Sequence, residues 1–530
     1  MKTLFTILCS ACMLNMQAQF AASAIIDANN ISAKFFSNGY VSSDGNATHF
    51  AVPADSGIHA LYAGSLWVAG FDNQFGMLHS SCPQNNFVSN FEPGPIGTNY
   101  DTVYLSRYNK VWKVTRAEIQ THQANYANGG YVAPADIASW PGNGNTANGE
   151  PAQLAPYLDV NSNGVYEPQQ GEYPVIKGDK ALYYIYSDRA NPDNNLHGNP
   201  LKIDVHALVY GYENTNGADL NNTLFVHYNI VNRGGNSYRD MLIGSWNDFD
   251  LGCWDNDLIG SDSVLSTFFA YNQGADNGCS GIKGYSNSHV ALGVTFLNHP
   301  MYSTTAHTNG APSTSTDPGS PFMKYYRMNG QWNDGTPYSY GGTGYTTGQP
   351  TRYLFSGNPC DTSEWSDPTS GHSAGDRRAI GAIGKFNLPL NGNLCVDLAY
   401  VFATGNAQAA CQYDAVDSLK QRVKNVQSFY NIHPPACSSL VSGIEDETSE
   451  KKMAEATVFP NPSADGGWQL TVGDNLIGGV VEVFDGNGRV VFASVIGHRS
   501  SVISPEVASG IYLLRISSSK QSVTRKLVRL

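Results

Sequence analysis

Four runs of strand length and strand composition follow one another within 66 residues, at 181–186, 203–212, 223–231 and 241–246. Each is rich in Val, Ile, Leu, Tyr and Phe, and each is bounded by Gly, Asn, Asp or Ser, the residues that end strands and make turns. A chain with this many strand-type runs so close together must build sheets. Composition agrees: only 14% of residues are charged, well below the usual quarter. The polar surface therefore comes from Asn, Ser, Thr, Gln, Gly and Tyr, which suit short strands and long ordered loops better than helices. With 530 residues, 41% of them hydrophobic, the chain has enough apolar side chain for a large β core with a satellite unit. The net charge of -13 repels phosphate backbones, which excludes nucleic acid as a partner, and it favours hard cations such as Ca2+.

The N-terminus has the form of a secretory signal peptide. Met1-Lys2 leads into the apolar stretch from Leu4 to Leu14, and the small Ala18 precedes Gln19. The expected cleavage follows Ala18, and the apolar stretch is too short to span a membrane. Lipidation at Cys12 is disfavoured, because Cys9 stands where an aliphatic residue is wanted. No later segment is apolar for long enough to cross a bilayer. Beyond this leader stand Cys82, Cys253, Cys279, Cys360, Cys395, Cys411 and Cys437. Export permits disulfides. A bridge between Cys253 and Cys279 and two among the last four is the expected pattern, with one thiol left over; connectivity stays open. The absence of a CxxC pair argues against a zinc ribbon or a thioredoxin-type site.

The rest of the chain reads as a β-rich body with few helices. Residues 60–70 read as a strand pair and 110–114 as a strand. Thr115 with Glu118 forms a capping-box pattern that predicts a helix over 116–126, and 133–140 reads as a short helical turn. Residues 301–375, rich in Gly, Ser, Thr, Tyr and Pro, read as a long irregular stretch, and 394–403 as a buried strand. Val416, Leu419, Val423, Val426 and Tyr430 recur at helical spacing over 415–430. Residues 438–456 change to a polar, charged linker. After it, 480–484 and 489–492 flank Asp485-Gly486-Asn487-Gly488, a hairpin signal, and strands follow at 510–516 and 522–530.

This last unit, 457–530, resembles the type A C-terminal sorting domain of the Bacteroidetes type IX secretion system. The resemblance rests on Phe459-Pro460-Asn461-Pro462-Ser463, the hairpin around Asp485-Gly486-Asn487-Gly488, and Gly510-Ile511-Tyr512-Leu513 leading to Lys526-Leu527-Val528. It implies a small immunoglobulin-like β-sandwich, typically removed after directing its cargo across the outer membrane. The signal peptide (1–18) would deliver the chain to the periplasm, and the type IX machinery would carry it to the cell surface or the medium. The body, 19–437, is similar to a large group of such cargo proteins of unassigned function. The matching pieces are Ser65-Leu66-Trp67-Val68-Ala69-Gly70, Lys110-Val111-Trp112-Lys113-Val114, Trp140-Pro141-Gly142, residues 159–174, Gly178-Asp179, Asn247-Asp248-Phe249-Asp250-Leu251-Gly252 and Gly375-Asp376-Arg377-Arg378. They supply a destination and no activity.

Two stretches carry candidate chemistry, and both point to Ca2+. In residues 159–167, Asp159, Asn161 and Asn163 stand at positions 1, 3 and 5 of an EF-hand-type loop with Gly164 at position 6. The carbonyl of Val165 is the position-7 ligand. Gln170 replaces the bidentate Glu expected at position 12, so Glu172 is taken to close the site. The second stretch holds Asp248, Asp250, Asp255, Asp257 and Asp262. Carboxylates this dense repel one another unless a cation intervenes, and Asp248, Asp250, Asp255 and Asp257 are its expected metal ligands. The same acids could serve a glycosidase, but no apolar pocket that would raise one pKa is evident in the sequence. Gly371-His372-Ser373-Ala374-Gly375 has the form of a nucleophile elbow, yet it lacks the strand before and the helix after that the motif requires. Tyr325, Tyr326, Trp332, Tyr338, Tyr340 and Tyr345 could stack on sugars, though ordinary loop packing is the simpler use. No catalytic constellation emerges. The expectation is a non-enzymatic surface or secreted protein with Ca2+-stabilised loops and a structural or adhesive role, engaging surface glycans or other surface proteins. The alternative is a secreted polymer hydrolase or carbohydrate-binding protein.

Overall fold

The computed structural model describes residues 21–43, 45, 48–84, 90–189, 198–213, 217–309, 313–346, 348–437, 456–459, 461, 463, 467–472, 476–485, 489–498, 500–504, 507–517 and 522–529. The expected leader, nearly all of the expected linker and the hairpin tip at 486–488 lie outside the described residues. The chain divides into two compact units, 1–444 and 445–530.

In the first unit the strand-type runs pair edge to edge, antiparallel throughout. Lys180–Ser187 pairs with Ile203–Gly211, which pairs with Thr223–Asn232. The next neighbour is Asn393–Thr404, drawn from far along the chain. Val290–Phe296, Thr267–Asn272 and Asp257–Asp262 continue the order beyond it. Trp112–Thr115 and Glu92–Pro93 close the opposite edge, which makes nine strands among the described residues. A five-stranded sheet runs Met301–Thr308, Arg377–Leu388, Tyr238–Phe249, Ala63–Asp72, Leu78–Ser81.

Both sheets are covered on both faces, which is why their strands are continuously apolar. Leu182, Tyr184, Tyr186, Val205, Val209, Val226, Tyr228, Leu398 and Tyr400 meet Leu66, Val68, Ile243, Ala379 and Ile383 in the core between the sheets. The alternate residues Tyr183, Ile185, Leu208, Tyr210, Phe225, Ala399 and Val401 pack instead with Val416, Leu419, Val423 and Val426 of the helix Ala415–Ile432. Each such side chain contributes about 1.5–3 kcal/mol on burial. The helix lies close because Gly293 carries no side chain: a Cβ there would stand 3.1 Å from Leu419 Cδ2. On the far face of the smaller sheet, Trp67, Trp246, Ile380 and Ala382 pack on Tyr325 and Met328 of the helix Pro321–Met328.

Local signals transfer well. The helix Arg116–Asn125 begins at the reciprocal capping box of Thr115 and Glu118, and a short helix spans Ala135–Ala138. The disulfides are Cys253–Cys279, Cys360–Cys411 and Cys395–Cys437, with Cys82 free and buried. Two expectations need correction. Residues 60–70 are not a strand pair: Ala63–Asp72 is one strand. Gly64 and Gly70 punctuate no turn; they admit close neighbours, and a Cβ on Gly70 would meet Met241 Cγ at 2.5 Å. Nor is 301–375 irregular throughout. It contains the edge strand Met301–Thr308 and the helix Pro321–Met328, whose N-cap Ser320 accepts from Met323 N.

The second unit is all β. Ala456–Phe459, Trp468–Val472 and Ser500–Ile503 form one sheet; Val490–Val495, Val480–Phe484, Gly510–Ser517 and Ser522–Arg529 form another. Both contribute to one core containing Trp468, Leu470, Val481, Val483, Leu514, Ile516 and Leu527. Asn461 has a visible task here: its amide donates to the carbonyl of Lys526 at 2.6 Å and its oxygen accepts from Val528 N at 2.8 Å. That clamp joins the start of the unit to its last strand. Among the described residues no helix is long and apolar enough to cross a membrane.

Buried ionisable groups make the first unit sensitive to acid. His206, 3% exposed, receives or donates one hydrogen bond with Tyr183 Oη at 2.8 Å. Burial, helped by Arg233, holds its pKa down to about 3. The unfolded chain takes up that proton near pH 6.5, so the stability this neutral ring contributes is complete above pH 6.5 and is lost as pH falls toward 3. Between pH 6.5 and 4.5 the wild type should lose roughly 1–3 kcal/mol more stability than His206→Gln, as thermal unfolding would show; equal pH slopes in the two proteins would exclude a contribution from His206.

Candidate cation sites

Strand register builds the larger acidic site. Along Tyr238–Phe249, Trp246 lies on the outer face of the five-stranded sheet, stacked parallel to Trp67 with ring centres 6.4 Å apart. Asp248, two residues on, falls on the same face at the strand end. Arg378 stands directly opposite it, and His307 directly opposite Arg378 on the edge strand. Continuing the antiparallel register one step past Phe249 and Arg377 sets Asp250 against Asp376. Asp248, Asp250 and Asp376 thereby each offer a carboxylate oxygen within 4.8 Å of the others.

Arg378 is the cation built into this cluster. Its Nη2 donates to Asp248 Oδ2 at 3.1 Å, and its Nη1 lies 3.7 Å from Asp317 and 3.6 Å from Asp376. Asp317 in turn faces His307 Nε2 at 3.2 Å. Burial holds the His307 pKa down to about 4, so this ring adds no positive charge at neutral pH. Arg378 thus faces Asp248, Asp317 and Asp376, with Asp250 beside them, and Arg327 also acts on Asp317. Burial and the neighbouring Asp376 push Asp250 up to about 7, with Arg378 opposing. Burial, with Asp250 and Asp376, also pushes Asp248 up against the pull of Arg378.

Asp257 lies alongside. It is fully buried; its Oδ2 accepts from Leu251 N at 3.3 Å and its main-chain carbonyl from Gly375 N at 3.1 Å, the neighbours of Asp250 and Asp376. Its Oδ1 has no hydrogen-bond partner among the described residues, and burial followed by Asp250 raises its pKa. Asp255 is placed differently: it is exposed and groups with Cys253 and Cys279. Those sulfurs are bonded to each other, which removes them as thiolate ligands. The sequence reading missed Asp376, Asp317 and Arg378. The only local signal was the Asp376-Arg377-Arg378 run, and nothing in it says which strand it will face.

The second site is local. Ser162 and Gly164 have positive φ, 59° and 75°, and the chain wraps inward between them. Asp159 accepts from Asn163 N and Gly164 N at 3.2 and 2.7 Å, and Asn163 Oδ1 from Val165 N at 2.7 Å. The amides of Asn161 and Asn163 both donate to Glu167 Oε2, at 3.1 and 2.7 Å. Glu172 is fully buried and closes the loop by accepting from Val160 N and Glu167 N at 3.2 and 2.7 Å. Burial, and then Asp159 against the pull of those N–H groups, raises its pKa. Asp159, Asn161, Asn163, Glu167 and Glu172 are thus tied into one loop through N–H groups of the loop itself; the acids Asp159, Glu167 and Glu172 are not among the metal-spaced clusters of the described residues. Val165 is exposed.

The other motifs take ordinary places. Residues 371–376 are loop, followed by a strand and not a helix, so no nucleophile elbow forms. Tyr325, Trp332 and Tyr338 are core residues; Tyr340 and Tyr345 keep exposed faces. The supposed lack of a pocket that raises an acid's pKa does not hold, since burial at the sheet end does this to Asp250.

These charges predict two opposite effects. Arg378→Met strands Asp248 without its cation and should cost about 3–5 kcal/mol. Asp250→Asn relieves repulsion from Asp376 and should raise the melting temperature in chelator. Calorimetry of both variants checks this; equal destabilisation by both would refute the charge imbalance.

Residues 457–529 match the family described as the secretion system C-terminal sorting domain. No curated protein matches the chain. Among solved structures, a polysaccharide lyase aligns at 10% identity and a TM-score of 0.19, over 72% of this chain and 37% of its own. The chain thus spans little more than a third of that protein. PorZ, described as an essential bacterial surface component of the type IX secretion system of Porphyromonas gingivalis, aligns at 10% identity and a TM-score of 0.14, over 96% of this chain and 75% of its own. Neither likeness carries an argument about function. The sorting domain makes the chain a type IX secretion cargo, delivered through the outer membrane to the cell surface or medium.

Proposed function

We propose that this type IX secretion cargo is a Ca2+-stabilised, non-enzymatic protein with a structural or adhesive role at the cell surface. The observation that carries the reading is the convergence of Asp248, Asp250 and Asp376, with Asp257 beside them, against a single guanidinium. Ca2+ takes six to eight oxygens at flexible geometry, and carboxylates held together by strand register favour it over ions that demand strict octahedra. The Asp159–Glu172 loop supplies a second oxygen-rich site of the same class. Outside the cell Ca2+ is abundant, so modest affinity suffices. Bound ion then offsets the remaining repulsion, and the Cys253–Cys279 disulfide ties the loop that follows Asp250.

The rival reading, a secreted polymer hydrolase, draws on the same place. A carboxyl pushed up to about 7 beside a second carboxylate is the pairing that protonates a leaving group. The two differ in what Asp250→Asn removes: cation-dependent stability in the first, turnover of a polysaccharide in the second.

Calorimetry of the secreted protein with Ca2+ and with EGTA is the direct test. At a hundred-fold excess over Kd, the ion should add about 2.7 kcal/mol per site, lost on chelation, with part of the shift removed by Asp250→Asn and part by Asp159→Asn. A melting temperature indifferent to EGTA would remove the Ca2+ reading; reproducible turnover abolished by Asp250→Asn would replace it with the hydrolase. Separately, a chain ending before residue 457 should accumulate in the periplasm, as fractionation would show.

A further inference from the structure

A solvent-open hollow of about 570 Å3 lies beside the edge strand of the five-stranded sheet, and none of the clustered acids lines it. Its floor and walls come from the turn after the helix Pro321–Met328 and from the segment 350–353, which runs beside Met301–Thr308 through the bridge Thr304↔Tyr353 and the bond from Thr304 N to the carbonyl of Arg352 at 2.8 Å. Gly330, at φ 79°, lets the Arg352 stem lie close; a Cβ there would sit 2.9 Å from Arg352 Cγ. The guanidinium carbon then lies over Tyr302, 4.2 Å from the ring centre.

What sets Arg352 apart is the rest of its bonding. Arg107, Arg116, Arg189, Arg233, Arg239, Arg327, Arg377, Arg378 and Arg422 each donate to a carbonyl or carboxylate within the first unit. Arg352 has no hydrogen bond or ion pair from its guanidinium among the described residues, although the chain has an excess of acids. Arg352 is exposed, with its guanidinium over the Tyr302 ring, and its five N–H donors have no internal acceptor among the described residues.

The polar walls are already oriented by their neighbours. Asn329 accepts from Tyr302 Oη at 3.3 Å and donates to Gln331 Oε1 at 2.6 Å; Gln331 donates onward to the carbonyl of Gly335 at 2.8 Å. Each amide retains a second N–H. Pro337, Pro350 and Tyr353 add apolar surface.

We propose that this cavity binds a uronic-acid-containing oligosaccharide, with Arg352 anchoring a sugar carboxylate and Asn329 and Gln331 meeting ring hydroxyls. A planar guanidinium matches a carboxylate bidentately, amides both donate and accept as hydroxyls require, and proline and tyrosine surfaces receive the C–H face of a pyranose. Arg352 is the one charged group lining the cavity, which favours a ligand with isolated carboxylates among neutral hydroxyls over an acidic peptide. The inference is independent of the cation reading.

The test is titration calorimetry of the secreted protein with trigalacturonate, with maltotriose as neutral control and a triglutamate peptide as acidic control. Trigalacturonate should bind, with affinity falling tenfold or more in Arg352→Ala, partly kept in Arg352→Lys, and weakened by salt, while the melting temperature stays that of the wild type. Gln331→Leu should weaken binding without altering the salt dependence. Equal binding of maltotriose, equal or tighter binding of triglutamate, no binding of trigalacturonate, or affinity unmoved in Arg352→Ala would each overturn the proposal.

Discussion

The pairing of Tyr238–Phe249 with Arg377–Leu388 governs the functional end of the first unit. It stacks Trp246 within the outer core, sets Asp248 against Arg378, and carries Asp250 to Asp376. A slip of one residue would turn every side chain of the strand to the other face, placing the carboxylates in the apolar core between the sheets. Burial of Trp246, Leu242 and Ile380 therefore enforces the register that gathers the acids. The hydrophobic arrangement selects the electrostatic one, and the acids carry the resulting repulsion.

That division explains how a chain with so few charges can still have a charged centre. Elsewhere in the first unit buried charged groups are met by main-chain or hydroxyl groups or by each other, as with Asp188, which accepts from Ser81 Oγ, Leu201 N and Ile203 N. At the sheet end the pairing is unbalanced. Buried carboxylates that lack compensation raise their proton affinity or attract a cation. The Asp159–Glu172 loop is organised by turn geometry and not by sheet register, and its acids are met by N–H groups of the loop itself. Arg352 shows the converse, a cation without an acid.

The legible parts of this protein were those set by short-range rules. The capping box at Thr115 and Glu118, the apolar stripe from Val416 to Tyr430, the turn chemistry of the Asp159 loop and the Asn461 region of the sorting domain all act within a few residues or within one small unit. Residues 60–70 were misread because glycine punctuates turns and also admits close packing, and only the neighbour Met241 tells the two apart. The helix Pro321–Met328 was hidden in a turn-rich context, where Ser320 and Pro321 mark a helix start that composition obscured. Asp255 and Asp257 are two residues apart, yet one is exposed beside a disulfide and the other fully buried beside Asp250.

From the amino-acid sequence alone came the β-rich class, the export route and the separate C-terminal unit, because each depends on composition or on contacts between near neighbours. Strand order, the insertion of Asn393–Thr404 beside Thr223–Asn232, the meeting of Asp250 with Asp376 and the placing of Arg352 over Tyr302 were decided only in three dimensions. They join residues from about fifty to nearly two hundred positions apart, and which edges pair across such distances depends on how whole sheets share their buried faces.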